Sequence, residues 1–173
     1  MTHAKHLTFL CCFCLFCTFD LEAQSTPEDL GRFIFESIQQ DSISKIDRLI
    51  PTVDDMKKIA EQLGISKDSK QYAEMLKGRE VEITEFHENL NLVYSDTLDN
   101  GLKWQMARLE KINKVIDTIQ VDNQNPNSKR APIATVRIYF TSNSNRFFIV
   151  LNDVFPEGDL WKTGSSIYMK KLK

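Results

Sequence analysis

Apolar residues recur at helical steps in the first half of the chain and at alternate positions in the second. Leu30, Phe33, Ile34 and Ile38 share one helix face. The helix they predict opens at Thr26. There Thr26 can cap, Pro27 suits the first helical position, and Glu28 and Asp29 oppose the helix dipole. Ile43, Ile46 and Ile50 continue at helical spacing after Asp41-Ser42, and Pro51 stops the run. A third segment starts at Thr52. Its stripe is Val53, Met56, Ile59, Ala60 and Leu63, with Gly64 placed as a left-handed cap. A longer helix is predicted over 68–98, where Tyr72, Met75, Leu76, Ile83, Phe86, Leu90, Val93 and Tyr94 recur at three- and four-residue steps. Gly78-Arg79 is the point where it would bend or break. Asp99-Asn100-Gly101 ends the helical region as a turn.

The pattern changes at Trp104. Residues 105–121 fit a helix through Leu109, Ile112, Ile116 and Ile119. They also fit a long strand rich in β-branched residues, and the strand is the favoured reading. Residues 123–130 are a polar, turn-rich loop. Ala134, Val136, Ile138 and Phe140 then alternate with Thr135, Arg137 and Tyr139, as in a half-buried strand. Ser142 to Asn145 reads as a hairpin turn, and Arg146 to Val154 as a central strand, apolar on both faces. Pro156 to Asp159 turns the chain again. A last strand, Leu160 to Thr163 and Ile167 to Leu172, is interrupted by a bulge or bend at Gly164-Ser165-Ser166. Helices first, then an antiparallel meander, is an α+β fold. Helices from 26–98 pack on a curved antiparallel sheet of about four strands from 104–172. A sheet bent over helices encloses a cone, and the open end of a cone is a natural pocket.

Composition changes the picture at the N-terminus. All four cysteines, Cys11, Cys12, Cys14 and Cys17, fall in the apolar run Leu7–Phe19, after Lys5 and before the polar stretch DLEAQS. Basic, then apolar, then small is the layout of a secretory signal peptide, with Ala23 as the cleavage point. At about 1.5 Å per residue the run spans roughly 20 Å, short of a roughly 30 Å hydrocarbon core, which argues against a membrane anchor. Phe16 before Cys17 and Phe13 before Cys14 argue against a lipoprotein. The expectation is a signal peptide at 1–23 and a single domain at 24–173, exported to the periplasm or the medium and without cysteine. Removing Lys5, Asp20 and Glu22 takes the charge from 22 − 24 = −2 to 21 − 22 = −1. Such a near-neutral domain has no bulk electrostatic reason to seek nucleic acid or an anionic membrane.

Few residues announce chemistry. His87 is the only histidine after the leader, too little for a His-rich metal site, and no motif supplies a nucleophile for it to activate. No metal or cofactor is expected. The helical carboxylates alternate with Lys and Arg, as on a solvated face. Asp153 differs, because it ends a strongly apolar strand. It is either a cap for the turn before Pro156 or a buried base. Arg137 shares a face with Thr135 and Tyr139. On a concave face it would hold an anionic group, and on the outer face it would be merely exposed. Trp161 and Tyr168 have polar tips that suit a wet pocket, although aromatics at such spacing mostly pack across strands. No phosphate loop, dinucleotide fingerprint, HExxH or GxSxG pattern occurs.

The run VRIYFTSNSNRFFIVLNDVFPEGDLWKTG after a helical half resembles the nuclear-transport-factor-two-like superfamily, related in shape to the cystatins. An apolar strand passes through a short polar hairpin into a second strand, and Gly158-Asp159-Leu160-Trp161 opens the last one. The chain also resembles small exported proteins of Gram-negative bacteria whose role is unassigned. The resemblance covers residues 104–172 and implies a curved sheet with a cone-shaped pocket. It implies no single activity, because isomerases, dehydratases, binding modules and dimer scaffolds share such folds. Enzymes of that superfamily use an Asp-His pair, or an Asp with a Tyr acting on an oxyanion, and no such pair can be assigned here by position. The reading is therefore an exported, non-enzymatic domain that binds a small ligand or a protein and that can form a homodimer. The alternatives are an acid/base enzyme using Asp153 with Tyr139 or Tyr168, and an envelope structural or inhibitor protein.

Overall fold

The computed structural model describes residues 24–95, 101–120 and 129–172. The leader read in 1–23 and most of the polar loop at 123–130 lie outside the described residues. Helix α1 (Pro27–Gln39) opens as its sequence demands. Thr26 Oγ1 accepts from the Asp29 amide at 3.1 Å and Pro27 takes the first turn. The helix buries Leu30, Phe33, Ile34 and Ile38 together with Phe35. Helix α2 is a single turn, Ser44–Asp47, with Ile46 buried. Helix α3 (Val53–Leu63) carries a complete capping box between Thr52 and Asp55 and ends at Gly64 with φ 76°.

Helix α4 runs unbroken from Lys70 to Ser95. The helix does not break at Gly78-Arg79. One glycine costs a helix interior only about 1 kcal/mol, and Arg79 is held from the side by two hydrogen bonds. A 3-10 turn, Trp104–Met106, leads into the sheet.

The sheet is an antiparallel meander. Strand β1 (Arg108–Gln120) pairs with β2 (Arg130–Ser142), and β2 with β3 (Asn145–Glu157). Of the ambiguous stretch 105–121, Arg108–Gln120 thus forms strand, as the favoured reading had it, while Gln105 and Met106 belong to the 3-10 turn. Asn143 and Ser144, at φ 50° and 66°, make the two-residue hairpin turn between β2 and β3. The far edge of β3 carries the broken last strand: β4 (Leu160–Lys162) pairs with Phe155–Glu157, and β5 (Ser166–Lys171) with Phe147–Asn152. The break sits over a bulge in β3, where the register against β2 shifts between Ala134 and Val136 and Asp153 takes φ 55°. Gly164 passes so close to this bulge that a Cβ there would collide with the backbone of Asn152 and Asp153.

Helix α1 covers β1 and β2, and α4 packs on β5. The core lies between these layers. Trp104, Phe140 and Phe147 stack in a row, with centroids 5.2 and 5.5 Å apart, and Phe35 of α1 leans on the first two. The inward residues of β2 are Ala134, Val136, Ile138 and Phe140, as alternation predicted, and each is at most 2% exposed.

Candidate functional site

The same elements leave one end of the sheet unfilled. Where β1 departs and β2 returns, a pocket of about 460 Å³ opens beneath α3 and the first turns of α4. Helix α3 contributes Met56, Ile59 and Leu63, three residues of its predicted stripe, and Ile65 follows from the capping turn. Ser69 fixes the start of α4 by accepting from the Tyr72 amide at 3.1 Å, which sets Gln71 and Met75 on the pocket wall. The floor is Ile119 of β1, Ala131 to Ile133 of β2, and Phe155 and Pro156 beyond the β3 bulge. The polar lining is Gln62, Gln71, Gln120 and Arg130. No carboxylate, imidazole or hydroxyl side chain lines the pocket among the described residues. Lys129 Nζ donates to the Gln62 carbonyl at 3.3 Å and ties the start of β2 to the end of α3.

A larger cleft, of about 610 Å³, sits at the opposite end of the sheet around the β2–β3 hairpin. It is lined by Gln105 to Arg108 and Thr141 to Ser144, a mostly polar surface. The buried Ser142 hydroxyl accepts from the Lys103 amide and donates to the Lys103 carbonyl, each at 3.0 Å, so its bonding is used up internally.

The residues singled out from sequence fall elsewhere. Arg137, Tyr139 and Tyr168 do come together, on the outer face of the sheet. Arg137 and Tyr168 flank Val150, and Tyr139 stacks on Phe148 at 5.8 Å. Lys111 lies 4.9 Å over the Tyr139 ring and Lys170 5.3 Å over that of Tyr168. Trp161 is half-buried on β4 against the core, with its amide donating to the Gln24 carbonyl at 2.8 Å. Asp153 is exposed at the bulge, and its carboxylate accepts from the Ser165 hydroxyl at 2.6 Å. It anchors the β4–β5 break rather than the turn before Pro156. His87 lies on α4 with Nδ1 3.6 Å from the Asp47 carboxylate of α2.

Sequence reasoning missed the pocket because Met56, Ile59, Leu63 and Met75 were read as core stripe, Arg130 as loop and Pro156 as turn, with nothing to bring them together. It also placed Arg79 among solvated helix charges, whereas Arg79 is 2% exposed and binds the Pro51 carbonyl. The signal available for the pocket was a deficit: α3 offers five apolar positions, yet among them only Ile59 and Ala60 become buried. Comparison with known proteins adds no identity, since no family model, curated protein or solved structure matches the chain.

Proposed function

We propose that the domain binds a small, largely apolar ligand in the pocket beneath α3 and α4. The observation that carries this reading is the convergence of apolar side chains from two helices and three strands on a cavity of about 460 Å³, inside the range of small-molecule sites. The polar groups at its wall, three glutamines and Arg130, suit orientation of a ligand rather than proton transfer, because none is a ready acid or base near neutral pH. A pocket at an open end of the sheet is what the resemblance to the nuclear-transport-factor-two-like superfamily led one to expect. The signal-peptide layout of 1–23 supports binding outside the cytoplasm, in the periplasm or the medium.

The test is titration with an uncharged apolar dye such as Nile red. Saturable binding with enhanced, blue-shifted emission is expected. Met75→Trp, which fills the pocket from α4, is expected to weaken binding about tenfold, the loss of roughly 1.4 kcal/mol. Absence of saturable binding, or a Met75→Trp protein that binds unchanged, would remove the support for this site.

A further inference from the structure

Strand β1 is an edge. One side of it pairs with β2, and no strand pairs with the other side among the described residues. Edges of soluble proteins are ordinarily short, bulged or charged along their length. This one is 13 residues long; it is bulged near its start and carries charges at Arg108, Glu110, Lys111, Lys114 and Asp117, but between Lys114 and Asp117 it exposes Val115 at 63% and Ile116 at 48%. Its one irregularity is a bulge at Glu110, which ends the regular stretch on the N-terminal side and leaves the ladder from Lys111 onward even.

We propose that β1 is the interface of a homodimer, in which two copies of the strand pair antiparallel about a two-fold axis through Lys114. A symmetric pair of strands that keeps each side chain on its own face must centre on a residue. The charges along β1 choose among the possible centres. With the axis at Lys114, Lys111 of one copy lies opposite Asp117 of the other, twice over, on the outer face. Ile112 lies opposite Ile116 on the helix face, and Asn113 opposite Val115. Centring on Val115 opposes Lys111 to Ile119 and Asn113 to Asp117. Centring on Ile116 opposes Asp117 to Val115, and centring on Asp117 sets two aspartates together. Only the Lys114 register both matches opposite charges and covers Ile116 with an apolar partner. It brings two Lys114 side chains together, but each is already held by Glu28 of its own α1 at 2.8 Å, so the centre is a four-charge group of no net charge.

The interaction is read by sedimentation velocity across a protein concentration series. The purified protein is expected to dimerise, and raised salt to weaken the dimer, because the Lys111–Asp117 pairs lie at the surface. Lys111→Asp or Asp117→Lys alone sets like charges opposite each other at both symmetric contacts and is expected to weaken association by about tenfold. The double variant, Lys111→Asp with Asp117→Lys, restores opposite charges and should recover the dimer. Both positions are exposed, and thermal melts verify that each variant folds. A measurement on the unaltered protein is independent of the variants: amides within 111–117 should exchange more slowly at high protein concentration than at low. A monomer at every concentration overturns the proposal. So do single variants that associate as the unaltered protein does, or a double variant no better than the singles.

Discussion

Arg79 is the only charged side chain buried among the described residues. Its Nε donates to the Pro51 carbonyl at 2.8 Å and its Nη1 to the Glu82 carboxylate at 3.0 Å, while Nη2 has no partner in the described protein. The carbonyl it binds belongs to the proline that ends the α2 segment, so one guanidinium closes the joint between α2, α3 and α4. Arg79→Ala is expected to cost about 3 kcal/mol, since it opens a cavity and strands the Pro51 carbonyl. Arg79→Met refills most of the space and should recover more than half of that loss, because burying a guanidinium is itself costly. Chemical denaturation of the two variants checks the order, and an Arg79→Ala protein as stable as the parent would contradict it. None of this was legible in the sequence. Charges at helical spacing look alike whether they face water or a carbonyl, and the carbonyl here comes from 28 residues away.

At the scale of elements, local chemistry was a good guide wherever a residue acts on its own neighbours. Thr26 and Gly64 cap the helices they were expected to cap, Thr52 caps the segment expected to start there, and the Asn143-Ser144 turn sets the β2–β3 register. The capping box of α3 also makes its stability depend on pH. Burial pushes the Asp55 carboxyl up, but the Thr52 amide, the Thr52 hydroxyl and Lys58 outweigh it and hold the group below its ordinary value of 3.8. A carboxylate depressed in the folded state contributes stability that is present above its unfolded pKa and is lost as pH falls through the folded one. Asp55→Ala is therefore expected to cost about 1 kcal/mol near neutral pH, and the gap from the parent should shrink once pH falls below 3.8. Urea melts at neutral and at acid pH measure both. What local chemistry did not reveal was the bulge. Asn152-Asp153 lies in an apolar strand, and only the partner strands show that two residues there stand against one on β2 and that the β4–β5 break crosses the same spot.

The molecule as a whole is packed unevenly, and this bears on the pocket. The C-terminal half of α4 buries Phe86, Leu90 and Val93 under the sheet, whereas Arg79 is the only buried residue before them in that helix. Helix α3 buries Ile59 and Ala60 alone. The apolar stripes of α3 and early α4 are thus only partly satisfied, and the space they fail to fill is the proposed ligand site. Thin packing lowers the free energy of local opening, so different parts of one helix should open at different rates. Amides in α3 and in residues 70–78 are expected to exchange faster than those in 86–93, which should approach the protection of β2 and β3. A ligand seated between Met56, Met75 and Phe155 would restore the missing contacts and stabilise the state that binds it. Hydrogen exchange with and without saturating Nile red should then show slowing concentrated in α3 and early α4, with little change in 86–93. Uniform protection along α4 in the free protein would mean that the pocket end is as firmly held as the core. Slowing confined to the outer sheet face around Tyr139 and Tyr168 would move the ligand to the aromatic surface found there.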